Sequence, residues 1–564
     1  MTTERNQSTQ MRSASVQSLP KATSPKQTSE PYSIFDKRQK ALIIAIASVA
    51  ATFSGFASNI YFPAIPNIAH DLSVSTELIN LTVTSYLIFQ AFAPSLWGPI
   101  SDVKGRRTAY LGTFIVFLGA CIGLALTSTY ATLLVLRCLQ STGSASTIAI
   151  GSGVIGDVTT RAERGGFMGF FQAGLLVPVA IGPVIGGLLA DSLGWKSVFW
   201  FLAIYGGSFV LFLILLFPET LRSVVANGSR LPSGRNSFLL GFPLEYYQKT
   251  TKTPYSSETS TPAARQRIDL TTPFRILVDK RAMALLFFLA IHYAVWQMSI
   301  TAMATLFAST YSLSERKIGL TFLANGAGCI IGTILTGKIL DADYRRAQGK
   351  THATPTSEPR SIQSVDLEQE AAARQPASQP DSCAVDETNS VHHGPQNPSH
   401  EQSQSQQQLK RARLRLLPLF SLAQTISIII FGWTVHYAVH IAVPIAATFV
   451  TGWTAIAAQS AIMVYFVDVF SEPQAEPSGV GKGKPSGSAA ASASLNLARC
   501  LVAAGGTSVV GPMIKGLGVG WAFVVCGGAQ MVALGVVLVW LLWNGREWRA
   551  WRWEKTKAGG GIVD

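Results

Sequence analysis

The sequence predicts an all-α integral membrane protein, with twelve transmembrane helices arranged as two pseudo-symmetric six-helix bundles. Three observations lead there. Of the 564 residues 48% are hydrophobic and only 13% charged, whereas an ordinary soluble domain carries about 25% charged residues. The apolar residues gather into twelve runs, each long enough for a bilayer-crossing helix of roughly 20 residues. Landmarks of the first six runs recur, in order, in the second six. This composition excludes a soluble enzyme and a disordered scaffold. Six scattered cysteines without a CxxC pair exclude a disulfide framework and a zinc site.

Taken in order, residues 1–40 are rich in Ser, Thr and Gln and lack an apolar core or cleavage site. They read as a disordered cytoplasmic tail rather than a signal peptide. Residues 41–220 form the N-terminal bundle, with runs at about 41–62, 79–99, 108–127, 131–156, 166–190 and 197–217. Residues 221–281 read as a cytoplasmic linker. The C-terminal bundle, 282–543, has runs at about 283–308, 318–340, 416–437, 441–467, 489–514 and 520–543. It is interrupted by a disordered cytoplasmic insert at 347–409, which contains QSQSQQQ, and a short flexible one at 471–488. Residues 544–564 read as a cytoplasmic tail, and the Trp/Arg-rich stretch at 543–555 as an interfacial anchor. Lipid gives backbone groups no partner, so each run is helical or part of a closed barrel. The runs are too continuous for barrel strands, which alternate at every residue.

The net charge of +14 is placed by topology. Basic residues crowd the first tail, the loop with Lys104, Arg106 and Arg107, the flanks of the large insert and the last tail. Basic loops stay cytoplasmic, which puts both termini inside and excludes a nucleic-acid footprint. The repeat pairs Gly98…Asp102 with Gly337…Asp341, Asp157 with Asp468, Gly182-Pro183 with Gly511-Pro512, and Gly194-Trp195 with Gly520-Trp521. Duplicated bundles in membranes usually hold a substrate site near mid-membrane, with the two halves rocking about it.

Gly98-Pro-Ile-Ser-Asp102-Val-Lys-Gly105-Arg106-Arg107 resembles the signature loop of the major facilitator superfamily. Leu136-Arg137-Cys-Leu-Gln140-Ser-Thr-Gly143 resembles its span-4 motif, and Gly182-Pro183-Val-Ile-Gly186-Gly187 the span-5 motif of its antiporter branch. Ser58-Asn59-Ile-Tyr61-Phe-Pro63, Pro218-Glu219-Thr220 and Asp341-Ala-Asp343-Tyr344-Arg345-Arg346 are similar to the fungal twelve-span drug:proton antiporters, the quinidine-resistance-like group. The resemblance covers the spans and not the polar inserts. It implies a proton-coupled antiporter that exports a small organic compound by alternating access. A superfold does not pass on its cargo, so a drug-like amphiphile, an organic acid and a secondary metabolite all stay open.

Carried onto this chain, the resemblance makes Gly98, Asp102, Gly105, Arg106 and Asp157, with the repeat counterparts Asp341 and Arg345, a conformational latch. Asp102 is expected at the N-terminus of span 11, and Arg106 against Asp157, holding the cytoplasmic face shut. Lys104 and Arg107 read as juxtamembrane topology charge. In span 5, Gly174, Gly182, Gly186 and Gly187 allow close helix packing, and Pro178 and Pro183 bend the span.

Arg137 lies well inside an apolar run, where a cation costs about 2.5 kcal/mol or more. It must face a partner or a watery cavity, and reads as part of the transport path, coupling protonation to substrate, or as a structural hydrogen-bond hub to span 1 or 2. Arg499 reads either as a second path residue or as a snorkelling side chain. Asn59, Gln90, Gln172, His292, Gln297, Asn325, Gln424 and Gln459 are cavity candidates with Tyr61, Tyr86, Trp296 and Tyr465. Each alone also reads as an interhelical hydrogen bond. His292 has a pKa suited to carrying a proton, or is an interior hydrogen-bonded histidine. No Asp or Glu lies mid-span, which favours an anionic or neutral amphiphilic cargo. Gly151-Ser-Gly153-Val-Ile-Gly156 matches a nucleotide fingerprint but lies within an apolar run, so it reads as helix packing.

The expected protein is therefore not an enzyme. It needs no metal and no cofactor beyond a proton gradient, and works as a monomer on a small-molecule cargo, in the plasma membrane or else in a vacuolar or other internal membrane. The rivals are a uniporter or importer of the same fold and a non-transporting membrane sensor.

Overall fold

The computed structural model describes residues 32–231, 237–251, 272–352, 414–470 and 487–558. Among these residues twelve long helices cross the molecule. In the first half they are α1 (Lys37–Asn59), α2 (Thr76–Lys104), α3 (Arg106–Leu126), α4 (Tyr130–Val158), α5 (Arg161–Leu193) and α6 (Lys196–Leu216). In the second they are α7 (Lys280–Tyr311), α8 (Glu315–His352), α9 (Leu417–His436), α10 (Ala442–Phe470), α11 (Gly487–Leu517) and α12 (Val519–Ala558). Eleven of them are long and apolar enough to span a bilayer. The exception, α2, has 29 residues, and Asn80, Thr82, Thr84, Gln90 and Ser95 dilute its apolar run. Those polar groups are buried or face the interior described below, so the helix is polar where it meets protein rather than lipid.

Local signals set the helix ends. Ser75 and Thr129 accept the N–H groups of Leu78 and Thr132, capping α2 and α4. Gly105 (φ 107°), Gly194 (φ 81°) and Gly518 (φ 78°) make the sharp turns into α3, α6 and α12. The counterpart of Gly194 is thus Gly518, not Gly520, because the positive φ fixes which glycine turns the chain. After α1 the chain passes through a 3-10 turn, Phe62–Ala64, into a short helix, Ile65–Asp71.

The helix pairings repeat with a shift of six. In the first half α1 packs on α5, α2 on α4, and α3 on α4 and α6. In the second α7 packs on α11, α8 on α10, and α9 on α10 and α12. Two seams join the halves, α2 with α11 and α5 with α8, and the same shift relates them. The internal repeat thus becomes two six-helix bundles facing each other.

Several sequence boundaries move. α1 starts at Lys37, inside the expected tail, and Lys40 is buried in an ion pair with Glu163 (3.0 Å). α8 runs to His352 and α12 to Ala558, beyond the expected spans. The linker is not merely a connection: it contains helices Arg222–Val225, Ser237–Thr250 and Thr272–Leu277. Tyr247 from the second packs edge-on against Phe35 and donates to the Leu216 carbonyl, docking the linker against the base of α1 and α6. Most of the insert 347–409 and of the insert 471–488 lies outside the described residues, as do 1–31 and 559–564.

Candidate functional site

One cavity of about 400 Å³ lies between the halves. Its deep end is formed by Asn59, Val179 and Gln297. It descends between α2, α4, α5, α7, α10 and α11 to Gly98, Asp102, Arg106 and Ser492, at the end bearing the basic loops. At the opposite end both seams are closed. There Phe62 stacks on Phe322 (6.1 Å between centroids), Thr84 bonds Thr507 (3.0 Å), and Lys515 pairs with Glu77. A Cβ on Gly319 would sit 2.5 Å from the Pro183 carbonyl oxygen, and one on Gly187 would collide with the Glu315 backbone. Small residues are therefore what lets α5 and α8 touch. Gly186 similarly faces the Ile60 carbonyl and Gly174 the Ser48 hydroxyl, so these two span-5 glycines serve the α1–α5 contact. Gly182 lies against Asn59, and Pro178 fills the space left by Gly55.

The expected latch residues meet at the mouth. Arg106 donates to Asp157 (Nε, 2.9 Å), Asp102 (Nη1, 2.5 Å) and Ser101 (2.7 Å). Its guanidinium lies against Gly153, so that glycine of the decoy motif makes room for it within α4. Asp102 departs from expectation. Its carboxylate, 44% exposed, bonds Arg106 rather than α11. The cluster joins α2, α3 and α4 of one half, so in this conformation it stiffens that half and does not tie the halves together. The repeat counterparts Asp341 and Arg345 lie outside the described side chains.

Two residues of the same loop carry more than the sequence suggested. Arg107 is not a topology charge: only 1% exposed, it donates to the Phe217 and Ile214 carbonyls (2.8 and 2.6 Å) at the end of α6. A cation there satisfies orphan carbonyls and complements the helix dipole. Glu219, fully buried, accepts the backbone N–H groups of Arg106, Arg107, Thr220 and Leu221 (2.8–3.1 Å). It closes the N-terminus of α3, and a side chain at Gly105 would collide with it. Burial pushes its carboxyl above the usual range, and the N–H donors of Leu221, Arg106 and Arg107 pull it back. The Pro-Glu-Thr motif after span 6 was the available signal, but it does not say what the glutamate holds.

Arg137 is placed differently from the expectation. It does not line the cavity and is 1% exposed. Its guanidinium sits between the rings of Tyr61 (4.3 Å) and Tyr86 (4.5 Å), and donates to the Ala57 carbonyl (3.0 Å) and Gln140 Oε1 (2.6 Å). Desolvated cation–π contacts contribute about 2 kcal/mol each, and hydrogen bonds from a charged group about 1.5–3. Their sum offsets a mid-membrane cost of about 3 kcal/mol without water or a carboxylate. The cage is also why Tyr61 and Tyr86 turn away from the cavity.

His292 is another correction. Its Nδ1 donates to the Phe288 carbonyl (2.9 Å) and its Nε2 meets the Ser421 hydroxyl (2.7 Å), inside the second half. Both ring nitrogens are occupied, and the ring is off the cavity wall. Asn325 accepts from Trp296 Nε1 (3.1 Å), and Gln424 donates to the His292 carbonyl (3.0 Å). Neither they nor Tyr465 line the cavity. Asn59, Gln90, Gln172, Gln297, Gln459, Trp296 and Arg499 do. Arg499 Nε and Nη2 donate to Asn496 Oδ1 (3.2 and 3.0 Å), and its guanidinium lies over the Tyr293 ring (4.9 Å).

A family model described as Major Facilitator Superfamily matches residues 47–349. The chain is 33% identical to Citrate exporter 1 of Aspergillus niger over 94% of this chain and 90% of that one. It is 34% identical to multidrug transporter QDR2 of Candida glabrata, over 92% of this chain and 82% of the relative. Among solved structures, the crystal structure of the human organic anion transporter MFSD10 (TETRAN) is similar at a TM-score of 0.51 and 14% identity. That match covers 88% of this chain and 99% of the other, and shows a shared fold.

Proposed function

Because the chain belongs to the major facilitator superfamily, and is a multi-pass membrane transporter rather than an enzyme, we propose that it exports a small organic compound by proton-coupled alternating access. The supporting observation is a cavity lined by both bundles, reaching the basic-loop end while both seams are closed at the other. A mid-molecule pocket with one open end is one of the two states such a carrier needs. The pseudo-symmetry relating the α2–α11 and α5–α8 seams supports the other, in which the same contacts part and the basic-loop end closes. Relatives named as a citrate exporter and a multidrug transporter support the outward direction.

In this reading the basic loops and both termini face the cytoplasm, the membrane is the plasma membrane, and the monomer is the working unit, since the cavity is complete within one chain. The test is flux in proteoliposomes with and without a pH gradient, using compounds missing from the medium of a deletion strain. Gradient-driven accumulation against concentration is expected. Equal net flux without a gradient would replace antiport by uniport, and saturable binding without flux would make the protein a sensor.

A further inference from the structure

The cavity wall is electrically lopsided. At its mouth Arg106 pairs with two carboxylates, Asp102 and Asp157, so that cluster has no positive charge to spare. Deeper in, Arg499 makes no ion pair among the described residues. Two of its nitrogens share one neutral amide oxygen, its face is covered by Tyr293, and Nη1 makes no hydrogen bond among the described residues. Arg137, the other mid-span cation, sits between two rings, donates through Nη1 to Ala57 and Gln140, and is off the wall. Apart from Asp102, Arg106 and Arg499 the wall carries no charge; it includes the amides of Gln90, Gln297 and Gln459 and the side chains of Trp296, Leu289 and Ile456. The Oε1 atoms of Gln90 and Gln459 are buried without a partner among the described residues.

Arg499 is part-buried on the cavity wall and lacks the two-ring cage that holds Arg137, so a counter-charge would stabilise it, and no carboxylate pairs with it among the described residues. We propose that the cargo supplies the counter-charge. Arg499 is the anchor for a carboxylate, and the cargo class is a small organic monoanion with an apolar or aromatic body. One uncompensated cation accommodates one anionic group. A second would be buried against neutral amides, at a cost of several kcal/mol. Arg presents its N–H groups in a planar fork that suits a carboxylate. The free amide ends take the hydrogen-bonding groups of the cargo body, and Tyr293 and Trp296 take its apolar face. A volume of about 400 Å³ lies within the range of small-ligand pockets.

This inference rests on the transport reading of the cavity, and its test separates the two. The purified full-length protein in nanodiscs is titrated calorimetrically with 1-naphthoate, its isosteric amide 1-naphthamide, citrate and tetraphenylphosphonium. The naphthoate should bind about tenfold or more tighter than the amide, as a desolvated charge pair is lost in the amide. Citrate and the phosphonium should be weaker than the naphthoate. Arg499→Gln should erase the preference for naphthoate over naphthamide, and Arg499→Lys should keep part of it. A wild-type protein that binds amide and carboxylate equally, prefers the cation or citrate, or binds none of the four overturns the proposal whether or not the variants fold. An unchanged preference in a folded Arg499→Gln protein overturns it too. If naphthoate binds through Arg499 but no flux is seen, the anchor stands and the transport reading falls. If flux of a cation persists in Arg499→Gln, the transport reading stands and the anchor falls.

Discussion

Arg137 shows how a residue can be legible as unusual and still be misassigned. The sequence gives the cost of a mid-span cation, and cost implies compensation. It does not say whether water, cargo or protein compensates, because Tyr61 and Tyr86 are far from it in the chain and converge only once α1, α2 and α4 pack. Arg137→Lys keeps the charge but loses the planar fork, so it should destabilise the purified protein by about 2 kcal/mol, read as a lower melting temperature. Carboxylate affinity in the cavity should be unchanged. A large loss of affinity with unchanged melting would return Arg137 to the transport path. The role of Glu219 was not legible for the same reason, since two of its four N–H partners, Arg106 and Arg107, depend on the meeting of α3 with the segment after α6. Glu219→Ala leaves those donors buried and unpaired, and should cost about 3 kcal/mol or more, whereas Glu219→Gln, keeping one acceptor oxygen, should cost clearly less. Thermal unfolding followed by circular dichroism measures both, and equal losses would contradict the capping role.

At the scale of elements, hydrophobic runs located every span within a few residues, because the need to satisfy the backbone in lipid leaves little freedom. Helix ends were less legible. Once clear of the lipid, hydropathy no longer marks a helix, and α8 continues to His352 through polar residues. The glycines of α5 were recognised as packing positions, but which partner each one meets depends on the tertiary arrangement: α1 for Gly174 and Gly186, α8 for Gly187. Gly187→Val should hold α5 and α8 apart at the closed end. With Gln297→Cys as reporter in a cysteine-free background, an impermeant maleimide added at that end should label the Val variant several-fold faster. Equal labelling would show that the seam does not limit access.

For the whole molecule, the internal repeat made the two-bundle architecture readable, and the packing shift of six carries it into three dimensions. The conformation was not readable. A carrier has at least two states of similar energy, and one sequence encodes both. The expected cytoplasmic latch was assigned to a closed face, whereas here its three charges stay within one half and the cavity opens beside them. The central claim is that the closed seams must part for transport. The direct measurement is a disulfide across one of them, between Glu77→Cys and Lys515→Cys in a cysteine-free protein, with flux followed in proteoliposomes before and after reduction. Oxidation should stop transport and reduction should restore it. Full flux through the cross-linked protein would contradict the account.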